Sequence, residues 1–192
     1  DAADATASGA SGDSNAILRG LLDYNYSKKA LVPLVDAPAV AATHAAGVGV
    51  TLTLPLGGSL DKGRFTPLEL EVYVQTLSDG QFTYEGGLPA EGGRSAVLIH
   101  GSLAILATER SVFSTGLRLF RAHGLEPTEC DLVVCKSPNG FRIQYEDLAA
   151  RIVAVDVPGS TSANLKTLPY AQCPRPIFPL DEGVVASFPL ED

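Results

Sequence analysis

The 192 residues hold 14 Lys and Arg against 22 Asp and Glu, a formal net charge of -8, and 45% of them are hydrophobic. That is enough chain and apolar content for one domain with its own core. The acidic balance, with Lys28-Lys29 as the one basic pair, speaks against a nucleic-acid partner. No apolar run is long enough to cross a bilayer and no signal-peptide pattern opens the sequence, so no membrane association and a cytoplasmic location are expected. The initial Asp1 and the absence of Met read as a piece of a longer chain.

The first two dozen residues, DAADATASGASGDSNAILRGLLDY, pass from a small-residue loop with spaced carboxylates into an amphipathic helix. Asp13 or Ser14 is the expected N-cap, and Ile17, Leu18, Leu21 and Leu22 share one face. A loop over a helix N-terminus can receive an anion on its free N–H groups, with Gly9 and Gly12 allowing close approach. The alternative is an ordinary capped helix behind a frayed end.

Residues 30–35 form an apolar run interrupted by Pro33, which predicts an edge or terminal strand. Asp36 then caps a helix with Pro38 in its first turn, ended by Gly47. Residues 48–56 alternate as a strand closed by Gly57-Gly58, and 68–76 form another with Leu68, Leu70, Val72, Val74 and Thr76 on one face, antiparallel to its neighbour. Asp79-Gly80 signals a hairpin turn before a strand at 81–85, residues 86–93 read as loop, and 96–99 and 103–108 pair across Gly101-Ser102. Helical spacing returns after Ser114, an expected N-cap, and stops at Gly124. Residues 132–135 predict a buried strand, Pro138-Asn139-Gly140 a turn, 141–150 a helix and 151–155 a further strand. From about 160 the chain is irregular and rich in Pro. The pattern predicts a single α/β domain: a mixed β-sheet with flanking helices, a β-hairpin-rich middle and an irregular tail over 160–192.

Candidate chemistry is sparse. His44, His100 and His123 lie apart and outside any HExxH arrangement, so each is expected to be structural and no metal site is expected within the chain. No GxSxG elbow is present, and Cys130, Cys135 and Cys173 lack the spacing of a zinc knuckle or redox pair, which suits reduced thiols.

The opening DAADATASGASGDSNAILRGLLD resembles the start of the C-terminal domain of the microcystinase C (MlrC) family of zinc metallopeptidases. Further blocks follow in the family's order: LVPLVDAPAVAATHAAGVG at 31–49, LPLGGSLD at 54–61, LSDGQFTYEG at 77–86, VVCKSPNGFRIQYEDLAARIVAVDVPG at 133–159 and LPYAQCPRPIFPLD at 168–181. The resemblance implies one MlrC C-terminal-like domain over 1–192, with zinc held by an absent N-terminal domain of the same chain. It would complete a cleft for short linear peptide substrates. The implied substrate-binding or interdomain residues are Asp1, Asp4, Gly9, Gly12, Asp13 and Ser14 in one loop and Lys136, Ser137, Phe141 and Arg142 in another, the two loops converging. Lys136 and Arg142 would hold a substrate carboxylate. The competing reading is surface ion pairs with Asp13, Glu146 or Asp147. Two departures stand out: Ala5-Thr6-Ala7-Ser8-Gly9 replaces the family's Asn-Pro-Gly-Gly-Gly, and Gly140 replaces a His. They keep open an alternative, a non-catalytic ligand-binding or scaffolding module of a divergent paralogue. A homo-oligomer is compatible with either.

Overall fold

Alternation of apolar residues on both faces of the central strands decides the architecture. The computed structural model describes residues 1–184. After a loop with one tight turn at Thr6–Ser8, the chain forms α1 (Ala16–Asp23), β1 (Ala30–Val35), α2 (Ala37–Ala46), β2 (Thr51–Leu56) and β3 (Leu68–Ser78). It continues through β4 (Gln81–Thr83), β5 (Pro89–Glu91), β6 (Ser95–His100), β7 (Leu103–Thr108), α3 (Leu117–Arg121), β8 (Leu132–Val133) and α4 (Arg142–Tyr145). Six strands make one mixed sheet in the order β2-β3-β6-β7-β1-β8. The run β2-β3-β6-β7 is antiparallel, whereas β1 lies parallel to both β7 and β8.

On one face Val32, Leu34, Leu98 and Ile105 pack with Leu18 of α1 and Val40 of α2. On the other, Leu31, Val97 and Leu106 pack with Leu119 and Phe120 of α3. All six residues of β1 are therefore buried, as expected for a strand covered on both sides. The α1 stripe behaves as its spacing predicts, with Leu18 buried and Ile17, Leu21 and Leu22 against the same core.

Several sequence expectations are corrected. The N-cap of α1 is Asn15, without a side-chain cap: the Asp13 carboxylate is taken by the N–H groups of Leu60 and Asp61, and the Ser14 hydroxyl accepts the Ala16 N–H at 3.4 Å from one position further back. Ser114 caps nothing; α3 starts after Gly116, and the Ser114 hydroxyl accepts the Lys136 N–H at 3.0 Å. β2 begins at Thr51, after Gly47 and Gly49 at positive φ, although Gly49 already donates to the Val74 carbonyl and Val50 accepts the Val74 N–H, each at 2.9 Å. β1 is not terminal, but β8 pairs only with Ala30 and Leu31. Because Val134 donates to the Leu31 carbonyl, Pro33 faces the same side two residues on, past the end of β8, where its missing N–H costs no ladder bond. The Asp79-Gly80 turn leads not into the main sheet but into a separate β4–β5 ribbon that uses part of the segment read as loop.

The C-terminal third departs most. The strand read over 132–135 shortens to β8, and the helix read over 141–150 shortens to the single turn of α4. Residues 151–155, read as a strand, have no strand partner among the described residues. The irregular tail is seen as far as residue 184; its last part, 185–192, lies outside the described residues.

Candidate functional site

Beyond the short β8, the first loop takes over the edge of β1. Val35 donates to the Gly12 carbonyl at 3.0 Å, so the loop lies where a longer β8 would have run. The sheet also curls until the end of β2 meets the end of β1: Gly58 donates to the Asp13 carbonyl at 3.0 Å, and Gly57 donates to Asp36 Oδ2 at 2.7 Å. Gly57 and Gly12 are required by this closeness. A Cβ on Gly57 would stand 2.8 Å from the Asp13 carbonyl oxygen, and one on Gly12 would stand 2.6 Å from methyls of Thr6 and Val35, both at positive φ.

At the centre is a buried ion pair. Lys136 Nζ donates to Asp4 Oδ2 at 2.8 Å, to the Gly12 carbonyl at 2.7 Å and to the Ser14 carbonyl at 3.0 Å. Asp4 in turn accepts the backbone N–H of Gly12 and of Ser14, each at 2.8 Å. Lys136 and Asp4 side chains are only 4% and 1% exposed, so every polar atom needs a partner inside the fold. Burial pulls the Lys136 ammonium below the usual lysine value, against the opposing pull of Asp4. Its three donors are all spent, which corrects the role read for it from the sequence: in this arrangement Lys136 has no donor left for a substrate carboxylate. It is not a surface ion pair either.

Two loop amides just ahead of α1, those of Gly12 and Ser14, hold the chain's own Asp4 carboxylate. Asp13, fully buried, accepts Leu60 and Asp61 N–H at 2.7 and 2.9 Å and the Ser11 hydroxyl at 2.5 Å. Asp1 closes the loop onto the segment after β8: its backbone nitrogen reaches the Cys135 carbonyl at 3.1 Å and its carboxylate accepts Ala3 N–H at 2.9 Å. Ser14 and Ser137 are buried in the same knot. The loop pair therefore converges through Asp4 and Lys136, while Gly9, Phe141 and Arg142 lie outside that knot. Gly9 is exposed, and a Cβ added to it would meet nothing within 4 Å. Arg142 is solvent-facing, 3.2 Å from Glu146 and over the half-buried Phe141 ring. That exposed pairing with Glu146 is the weak kind.

Sequence reasoning missed Asn15 and half the role of Asp36. Asn15 Nδ2 donates to the carbonyls of Leu56 and Thr66 at 2.8 and 2.9 Å, fastening α1 to β2. Asp36 caps α2 through Ala39 N–H and also holds Gly57. Burial raises its pKa, partly offset by those two N–H donors. The paired Gly57-Gly58 was the available signal of a close backbone approach.

Among the described residues the donor set does not fit a catalytic metal. His44 Nε2 meets the Ser95 carbonyl at 3.2 Å, and His100 Nδ1 meets that of Glu71 at 2.7 Å. His123 Nδ1 meets that of Leu119 at 2.7 Å. Among the described residues no three His, Cys, Asp or Glu side chains are grouped as metal ligands. Cys135 is a half-buried thiol whose pKa burial pushes up to about 11, where it is inert.

Comparisons with known proteins place the chain in a family. Microcystinase C of Sphingomonas sp. is 27% identical over 181 residues, covering 94% of this chain and 35% of that protein. The crystal structure of a "Putative metallopeptidase" from Mesorhizobium sp. BNC1 matches 98% of this chain with a TM-score of 0.84 at 28% identity, over 38% of that chain. The chain thus spans little more than a third of the length of these relatives. The family model described as MlrC C-terminus matches residues 1–172, most of the sequence and the whole of the loop knot and sheet, and the chain belongs to that family.

Proposed function

We propose that the chain is the C-terminal domain of a metallopeptidase-type hydrolase, setting a rigid double loop against an N-terminal domain that carries the metal, zinc by the resemblance. The observation that supports this most is the family match over residues 1–172 within relatives that extend far beyond it. Asp1, Asp4, Gly12, Asp13, Ser14 and Lys136 act as scaffold, since they spend polar groups on bonds within the fold, and Ser137 is buried beside them. Gly9, Phe141 and Arg142 face outward and meet the partner domain or a short linear peptide.

Of the two cations read as substrate ligands, Arg142 keeps its guanidinium at the surface, against exposed Glu146 and the Phe141 ring. It is the group to grip a peptide carboxylate. In the full-length protein, Arg142→Ala raises KM for linear hydrophobic peptides about tenfold with kcat kept, the signature of lost ground-state binding. Peptides with an amidated C-terminus show no such change. An unaltered KM for the free-carboxylate peptides contradicts this role for Arg142.

A further inference from the structure

Residues 151–157, Arg-Ile-Val-Ala-Val-Asp-Val, have the composition of a strand and none of its bonds. No backbone N–H or carbonyl of this stretch has a hydrogen-bond partner among the described residues. Ile152, Val153 and Val155 are exposed, Val153 by 62%, and Ile143 and Leu148 just before them are also exposed. The stretch is nevertheless fastened at both ends. Before it, buried Tyr145 donates its hydroxyl to the Gly116 carbonyl at 3.3 Å. After it, Gly159 lies against Ala3, where a Cβ would stand 2.0 Å from the Ala3 carbonyl oxygen, and Thr161 donates its N–H to that carbonyl at 2.9 Å. A β-branched segment with open N–H and carbonyl groups, held between two anchors, is a template for strand addition.

We propose that residues 151–157 are an edge strand that docks on the part of the longer protein lying outside these 192 residues, adding itself to a strand there. Two observations favour that occupant. The relatives carry about two thirds of their length outside the matched region, and the Mesorhizobium chain holds this same fold within a chain more than twice as long. A second copy fits less well. Two-fold antiparallel pairing sets residues of equal parity opposite one another, so Arg151 never meets Asp156 and the one charge match available is lost. The proposal rests on the reading of the chain as one domain of a longer metallopeptidase-type protein.

Hydrogen exchange of the full-length protein, read by mass spectrometry over 151–157, tests it. The expected result is exchange slowed at least about tenfold from the free-chain rate. Val153→Pro and Ala154→Pro each remove one N–H, on opposite sides of the strand, so one of them abolishes the protection and the other leaves most of it. Neither breaks a hydrogen bond among the described residues, so the fold survives both. Exchange at the free-chain rate, or indifference to both prolines, overturns the proposal. So does protection that grows with protein concentration together with a dimer mass in light scattering, which assigns the strand to a second copy. Metal-dependent peptide hydrolysis on the same sample separates the two readings. Hydrolysis without protection overturns the strand alone; protection without hydrolysis upholds the strand and contradicts the activity.

Discussion

Lys136 and Asp4 are 132 positions apart in the chain, and their contact turns two loops into one unit. A buried pair adds little net stability when weighed against apolar replacements, but removing one partner leaves a charge with no solvent, at a cost of about 3–5 kcal/mol. Lys136→Met and Asp4→Asn are each expected to destabilise the protein by that order in urea unfolding. The double variant should recover part of the loss, a non-additivity that only a direct contact gives. His123 offers a pH test at the same scale. Burial holds its pKa below the usual histidine value, while Nδ1–H donates to the Leu119 carbonyl. The unfolded chain then binds the proton more readily, so His123 contributes fully above about pH 6.5 and its contribution is lost as pH falls from there toward the lower folded-state value. Between pH 7 and pH 5.5 the urea midpoint should fall, and His123→Gln should reduce that fall.

Among the elements, the legible ones were those whose partner is close in sequence or whose pattern is strict. Asp36, Pro38 and Gly47 bound α2 as their chemistry requires, β3 alternates as read, and β6 and β7 pair across Gly101-Ser102. The misreadings share a physical cause, because strand propensity does not say whether a partner exists. Residues 151–155 have the β-branched composition of a strand with no neighbour in the described chain, and the Asp79-Gly80 turn feeds a ribbon whose other half, Pro89–Glu91, contains a Pro and a Glu. The candidate site was half legible. The convergence of the two loops was legible and runs through Asp4 and Lys136, but Asn15 was missed, Gly9, Phe141 and Arg142 lie outside the knot, and burial was not foreseen, since a lysine at a strand end reads as solvent-facing until the Asp4 loop is seen over it. Gly57 measures how tightly that closure is built. Gly57→Ala meets the Asp13 carbonyl at 2.8 Å and should cost more than Gly9→Ala, which has open space and bears only the positive-φ strain of about 1 kcal/mol. Equal urea midpoints for the two variants would contradict the tight joining of β1 and β2 through this loop.

At the scale of the whole molecule, a curled mixed sheet carries a locked loop pair on the end of its parallel strands and an unpaired strand nearby, in a chain that spans little more than a third of its relatives. Each described histidine meets a backbone carbonyl, and the buried carboxylates of Asp4 and Asp13 spend their oxygens on backbone N–H groups, the Ser11 hydroxyl and Lys136. The division of labour proposed for this domain, scaffold here and metal elsewhere, is tested most directly by the metal content of the full-length protein before and after His44, His100 and His123 are replaced together by Gln. Stoichiometric metal in both, with circular dichroism unchanged, is the result expected. Loss of the metal from the folded triple variant would place ligands within these residues and contradict it.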